Sequence, residues 1–432
     1  MRILILNEYF YPDVASTAQH STDLAVALAQ EGHEVTVVAG QQGYSDHEKK
    51  FPRNETWKGI RILRVGSLRL GKTARWQRAA HFASFLVACG WQLLWLRSQD
   101  AVIAMTTPPL FSFFGALFTR VKGGKLYAWM MDLNPDEAVA AGWLAAGGVT
   151  HRFLERLLRF SFREAERIVV LDHFMQERIA AKGIETSKIL VLPPWSHDDA
   201  VRYDPVGREE FRREHGLEGK FVVMYSGNHS PCHPLDTLLE AAEQIQQENP
   251  DGSSIVFSFV GGGSELAKVK RFVREKNLKN VLCLPYQPIE KLGASLSAAD
   301  LHVVVVGDPF VGIVHPCKIY NILRLGAPFI YIGPAQSHIT EMLPAGAVGR
   351  WAHAFCHGNA EGVENCIQQC SRAVAQRFEE ETYLALEFSA DLLIPRFMAS
   401  ITVPTEIQSI VVQASLQDRP GAEAVYEDAL EK

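Results

Sequence analysis

The stretch HPCKIYNIL (315–323) sets Lys318 and Asn321 three residues apart, so a helix beginning there would carry both on one face of its first turns. An ammonium group in that position can neutralise a phosphate, and an asparagine, donor and acceptor at once, can hold a ribose or sugar hydroxyl. Out of context, Lys318 reads first as a surface lysine. His315 and Pro316 open the same loop.

WMMDLNPDEAV (129–139) puts Asp132 directly behind an apolar run. A carboxylate there can act as a base or accept a hydrogen bond from a sugar hydroxyl, or simply cap the next turn. YSGNHSPCHPLDTLLEAA (225–242) reads as strand, Gly227, polar loop and helix. The amides of Gly227 and Asn228 could hold a diphosphate, and His229 or His233 could add charge or a donor once protonated. Either histidine taken singly reads first as a solvated loop residue.

FVGGGSEL (259–266) ends a further strand on Gly261, Gly262 and Gly263, so the backbone passes close to something there, a ligand or a neighbouring helix. It is not the G-x-G-x-x-G dinucleotide fingerprint, which the first strand also lacks, and this argues against a nicotinamide oxidoreductase. Near the N-terminus, NEYFYPDVASTAQHSTDL brings Ser16, Thr17 and Ala18 to a helix start, an arrangement suited to a phosphate or sugar and equally to an ordinary capped loop.

Two other stretches carry weaker signals. In WAHAFCHGNAEGVENCIQQC (351–370), His353, Cys356, His357, Cys366 and Cys370 are soft ligands. Cys366 and Cys370, four apart on a predicted helix, make at most a half-site; there is no C-x-x-C knuckle, and no metal is expected. Residues 61–78 hold Arg61, Arg64, Arg69, Lys72, Arg75 and Arg78 with no acid, and Trp76 leads into an apolar run. That pattern suits an anionic membrane surface, or a solvated basic face over a core helix.

An alternation of strand and helix must position these groups. RILILN (2–7), a helix-spaced segment 21–33 and EVTVVAG (34–40) form a βαβ unit. Apolar strand signals follow at 59–65, 100–106, 125–132, 167–172 and 189–195, as expected for a parallel sheet covered on both faces. Periodicity lapses over the charged stretch 196–220, the expected linker, and a second series opens at 221–227 and runs through 254–263, 280–286, 301–306 and 327–333. The expected organisation is an N-terminal Rossmann-like domain over 1–196, a second over 197–387, a closing helix over 388–401 and a variable tail over 402–432. In such α/β sheets ligands bind beyond the carboxyl ends of the strands, where the residues singled out above fall.

Composition narrows the function classes. Hydrophobic residues make up 47% of the chain and charged ones 21%, which excludes wholesale disorder. A formal charge of −6 gives no global attraction to nucleic acid, and no such partner is expected. Seven cysteines without the spacing of a disulfide framework fit a reducing compartment. The first apolar run is too short for a signal-peptide core, so the expected location is cytoplasmic. Residues 79–96 lack Asp, Glu, Lys and Arg, but His81, Ser84, Gly90 and Gln92 weaken them as a span; a buried or interfacial helix is expected.

In the order and spacing of NEYFYPDVASTAQHSTDLAVALAQEGHEVTVVAG, YSGN (225–228), AADLHVVVV (298–306) and HPCKIYNILRLGAPFIYIG (315–333), residues 1 to about 401 resemble the family 4 glycosyltransferases of the GT-B fold, most of all the bacterial exopolysaccharide, O-antigen and colanic acid type. The resemblance implies retaining transfer of a sugar from a UDP- or GDP-sugar, held mainly by the second domain, to a lipid-linked or growing glycan acceptor held mainly by the first. It also implies no obligatory metal or other cofactor, and possible work at the inner face of the plasma membrane in contact with anionic lipid.

It further implies that Gly227 and Asn228 lie by the diphosphate with His229 and His233, that Gly261 to Gly263 lie near the nucleotide, and that His315 to Asn321 contact donor phosphate and sugar. Asp132 and Lys318 become the catalytic pair, and Ser16, Thr17 and Ala18 the acceptor-side loop. Many members carry two Glu eight positions apart where this chain has Ile313 and Asn321, and Arg and Lys where it has Asn228 and His233. The Pro316, Lys318 and Asn321 pattern looks like the exopolysaccharide variant. Two rivals remain at this stage: a nucleotide-sugar epimerase of the same fold, and a catalytically silent scaffold in a polysaccharide assembly complex.

Overall fold

The computed structural model describes residues 1–13, 15–44, 50–68, 75–196, 201–248, 254–344, 346–373 and 384–402. Side chains of 75–79 and 81 fall outside that description, so most of the basic run 61–78 and the whole tail beyond 402 lie outside it as well.

Near-continuous runs of Val, Ile, Leu and Ala form most of the strands and are buried on both faces. The first eight are β1 (Arg2–Leu6), β2 (Glu34–Gly40), β3 (Asn54–Trp57), β4 (Ile60–Val65), β5 (Ala101–Ala104), β6 (Lys125–Trp129), β7 (Arg167–Val170) and β8 (Ile189–Val191). They make one sheet in the order β3-β4-β2-β1-β5-β6-β7-β8, parallel except for β3. β3 was not legible in the sequence: NETW alternates but is short and polar, and it pairs with β4 across Lys58–Gly59, both at positive φ, the backbone of a tight two-residue turn.

Six further strands, β9 (Phe221–Asn228), β10 (Ile255–Gly262), β11 (Val281–Leu284), β12 (Leu301–Val305), β13 (Phe329–Ile332) and β14 (Ala352–Phe355), form a wholly parallel sheet in the order β11-β10-β9-β12-β13-β14. Both sheets reverse strand order beside their first strand, so the fold is two doubly wound α/β units, as expected.

The polar stretch after β8 is not simply a linker. Asp204 caps the helix Pro205–Glu214 by accepting from the Gly207 amide at 2.8 Å, and Pro205 occupies the first turn. The helix buries only Gly207 and Phe211, too few apolar positions to show a period, and is held by Arg208 and Arg212 on the Asp300 carboxylate.

The helix Ala390–Thr402 returns to the first sheet. Phe397 packs on Trp129 with ring centroids 4.5 Å apart, the Tyr127 hydroxyl donates to Ile401 O at 3.1 Å, and Trp195 donates from Nε1 to Asp23 at 2.9 Å.

Candidate functional site

A cleft of about 360 Å³ lies between the carboxyl ends of the two sheets. From the first sheet it takes Tyr9, Ser16, Thr17, Tyr44 and Asp132; from the second, Gly227, Asn228, His233, Tyr286 and the loop His315 to Asn321.

Backbone pairing across the cleft sets its floor. Asp132 bridges Val314 in antiparallel fashion, and Leu133 donates to Ile313 O at 2.8 Å. The Ile313 side chain is buried while its backbone forms this clip. Arg178 donates to Val311 O at 2.7 Å from the helix His173–Ala181, and Gly312, at φ +69°, lies so close to Phe174 that a Cβ would meet its carbonyl carbon at 2.7 Å.

Lys318 begins the helix Lys318–Arg324 and points into the cleft. Its Nζ is shielded from solvent, has no hydrogen-bond partner and sits 3.5 Å from the centroid of the Tyr225 ring. Gly227, at φ +140°, is the residue that permits this, because a Cβ there would come within 3.0 Å of Nζ. Burial drives the Lys318 pKa well below its ordinary value, with neighbouring Cys317 pulling weakly the other way. An ammonium with three donors and only a π face to receive them is a group arranged for an incoming anion.

Asp132 is the one carboxylate that lines the cleft among the described residues. Burial, then the charge of Glu137, push its pKa up to about 8. At neutral pH it is therefore mostly a carboxylic acid that can donate a hydrogen bond, and it becomes an acceptor or base only above that range.

The two histidines of the 225–242 loop are not solvated. His229 is fully buried, with Nδ1 on Gly262 O at 3.3 Å, and burial followed by the Lys318 charge lowers its pKa to about 4. His233 lines the cleft with Nδ1 on Val305 O at 2.7 Å, and the same causes in the same order lower its pKa to about 3. A carbonyl can only accept, so Nδ1 carries the proton in both rings and Nε2 is an acceptor. Neither ring supplies positive charge at neutral pH, which corrects the expectation of protonated histidines beside a diphosphate. His233 is instead placed to accept from a hydroxyl.

Gly261, Gly262 and Gly263 do not line the cleft. A Cβ at Gly261 would meet Gly227 O at 2.1 Å, one at Gly262 the Tyr286 ring at 2.9 Å, and one at Gly263 His229 O at 2.2 Å. Their smallness lets β10 and its continuation lie against the 227–229 segment, so the close approach read from the sequence is to neighbouring strand and loop, and they position Gly227 and Asn228. Ala18 is buried inside the helix Ser16–Gln30, while Ser16 and Thr17 line the cleft.

His315 lines the cleft with both ring nitrogens engaged. Nδ1 meets the Asp172 carboxylate at 2.8 Å and Nε2 meets the Tyr320 hydroxyl at 2.6 Å, while the ring stacks on His338 at 3.9 Å. Asp172 belongs to the first sheet's side, where it follows β7 and caps the helix His173–Ala181 by accepting from Met175 N at 2.8 Å. His315 thus acts first as a latch between the two units.

Burial alone would raise the Asp172 pKa, but the hydrogen bond and charge of His315 and the Met175 amide hold it at about 2. A carboxylate with a depressed folded-state pKa stabilises the fold above its unfolded pKa, and that stability is lost as pH falls through the folded value. Asp172→Asn is therefore expected to lower unfolding free energy at pH 7 by about 2 kcal/mol. In urea titrations the gap from wild type should narrow as pH falls from about 4 toward 2; a gap independent of pH would contradict the latch.

Asp172, Tyr320 and His338 were missed in the sequence, as were Tyr9, Tyr44 and Tyr286, although Asp172 follows a strand end just as Asp132 does. Tyr44 meets Tyr9 at 5.2 Å and Tyr286 at 6.2 Å between centroids, so one aromatic group spans the cleft.

Residues 17–195 match the family described as Glycosyl transferase 4-like domain, and 207–309 match Glycosyl transferases group 1. With the two facing parallel sheets, these matches place the chain among the glycosyltransferases of the GT-B fold. The first of the two matched domains is of the 4-like type.

The chain is 23% identical over 358 residues to the putative colanic acid biosynthesis glycosyl transferase WcaI of Escherichia coli K12, covering 79% of this chain and 86% of that protein. It is 24% identical over 255 residues to the probable glycosyltransferase WbjE of Pseudomonas aeruginosa, covering 59% and 62%. Among solved structures, sucrose-phosphate synthase from Thermosynechococcus elongatus superposes with a TM-score of 0.71 at 15% identity, covering 93% of this chain and 98% of that one. Anabaena HepE in complex with UDP superposes at 0.64 with 13% identity, covering 94% and 100%. These structural likenesses bear on the fold.

Proposed function

We propose that this glycosyltransferase moves a sugar, with retention of configuration, from a UDP- or GDP-sugar to a lipid-linked or glycan acceptor in cell-surface polysaccharide synthesis. The observation that carries the reading is Lys318 Nζ, buried without a hydrogen-bond partner in the cleft between the two sheets. A donor diphosphate supplies the missing partner. As the sugar–phosphate bond breaks, negative charge grows on the leaving diphosphate, and an ammonium held in a low-dielectric cleft stabilises that charge more than water would. Asn321, His233 and the Gly227 and Asn228 segment would contact the donor, and Ser16 and Thr17 the acceptor.

The amine takes the place that a divalent cation fills elsewhere in nucleotide chemistry. With Asp132 as the single cleft carboxylate among the described residues, the site is poor in the oxygen ligands that a diphosphate-bound magnesium takes, so we expect chelation with EDTA to leave turnover unchanged. The relatives' names support the polysaccharide context, and HepE's complexes with UDP and UDP-glucose support a nucleotide-sugar donor.

The test is a panel of nucleotide sugars screened for thermal stabilisation, followed by turnover with and without a glycolipid acceptor. Nucleotide release that depends on acceptor supports transfer. An altered sugar nucleotide formed from donor alone would favour an epimerase, and absence of nucleotide binding would favour a scaffold.

The acceptor reading extends to the outer face of the first unit. No helix among the described residues is long and apolar enough to cross a membrane. The helix Arg75–Trp95 buries Phe85, Cys89 and Leu93 yet exposes Val87, Trp91, Leu94 and Trp95, the last at 73%. Phe111–Lys122, exposing Val121, packs beside it, and Val149–Glu164, exposing Phe153 between Arg152 and Arg156, packs in turn on Phe111–Lys122. An apolar, tryptophan-bearing face edged by arginines suits an anionic membrane surface at the cytoplasmic side. The double variant Trp91→Ser, Trp95→Ser is expected to lose sedimentation with anionic phospholipid vesicles while keeping nucleotide-induced stabilisation; undiminished sedimentation would exclude this face.

A further inference from the structure

Away from the cleft, the second unit brings together three of the five soft ligands of residues 351–370. His353 stands on the edge strand β14, and Cys366 and Cys370 lie on one face of the helix Ala360–Arg372 that follows it. One ligand atom from each lies within 4.8 Å of the other two. Cys370 Sγ is 3.8 Å from His353 Nε2. Cys356 stands outside the group and is exposed, and His357 turns to Val306 O at 2.8 Å.

We propose that His353, Cys366 and Cys370 form an N,S,S site for one thiophilic divalent cation of the zinc type. Around a tetrahedral zinc, with bonds of roughly 2.3 Å to sulfur and 2.0–2.1 Å to nitrogen, a sulfur and a nitrogen ligand sit roughly 3.6 Å apart. The Cys370 to His353 spacing therefore needs little adjustment. Both thiols come from one helix at i and i+4, so two of the three ligands are prepositioned by the helix itself. Cys370 and His353 are only partly buried, which leaves a path for the ion and room for water as a fourth ligand.

Binding displaces the two thiol protons and leaves two thiolates on a dication, so the filled site is neutral. It ties the sheet's last strand to its covering helix. None of the three residues lines the cleft, so the site acts on stability, and its failure is separable from failure of the transfer reading.

The full-length protein, reduced with a non-chelating phosphine, is titrated with Co²⁺ and followed by absorption. The expected result is one equivalent bound, with thiolate-to-cobalt charge-transfer and tetrahedral ligand-field bands that Zn²⁺ abolishes. These bands are expected to vanish in Cys366→Ser and Cys370→Ser and to persist in Cys356→Ser. Zn²⁺ should raise the wild-type melting temperature by several degrees and leave both serine variants unmoved. The serine variants' melting temperatures without metal confirm that they fold. Absence of the bands in wild type, or bands that survive both cysteine substitutions, would overturn the site, as would bands lost in Cys356→Ser.

Discussion

Replacing Lys318 by methionine is expected to lower turnover by about 10²–10³-fold while making the unliganded protein more stable. Methionine keeps the length and apolar stem of the side chain and removes the buried amine that has only the Tyr225 ring beside it. An unsatisfied buried donor costs about 1–3 kcal/mol, partly offset by the cation–π contact, so a net gain of about 1 kcal/mol is expected, or a few degrees of melting temperature.

The sign follows from the protonation states. Burial holds the folded-state pKa of Lys318 below its unfolded value, so between the two values the unfolded chain binds more protons, and the lysine's penalty shrinks as pH rises through that window. The advantage of methionine should fade as pH rises toward 10 and grow as pH falls from there. Stabilisation by nucleoside diphosphate should disappear in the variant. Wild type should take up protons on binding, visible as binding heats that change with the buffer's ionisation enthalpy. A variant with full turnover, or one destabilised at every pH, would sink the assignment.

Asp132→Asn is expected to lower kcat/KM by about 10²–10⁴-fold and to flatten its rise with pH. The side chain is isosteric, and the backbone clip to Val314 does not depend on the carboxylate, so the fold should persist. If the carboxylate is the form that engages the reacting sugar, wild-type kcat/KM climbs through about pH 8, where Asp132 ionises. Asparagine cannot ionise, and the limb vanishes. An unchanged profile in the variant would assign that limb to another group.

The strands were legible in the sequence because runs such as VVMYSG and LHVVVV are apolar without alternation, the mark of a parallel sheet covered on both faces. The sites at their ends followed from the same rule. β14 was not legible, since AHAF mixes polar and apolar residues on an edge where one side is half open. Nor was the helix Pro205–Glu214, which ion pairs rather than an apolar stripe hold in place.

Within the site, Lys318, Asp132 and His233 could be named from local context, whereas their protonation could not, because burial by distant chain decides it. The Tyr44 to Tyr286 contact and the Asp172 to His315 pair join residues 242 and 143 positions apart, and no local pattern announces them.

The pairing of residues 132–133 with 313–314 ties the two halves together beside the reactive groups, so any relative rotation of the halves would pivot close to it. Displacement grows with radius from such an axis, so groups seated beside it keep their mutual distances through opening and closing while more distant walls swing apart. A change in the peripheral walls would therefore alter the room for a partner while leaving the paired centre as it is.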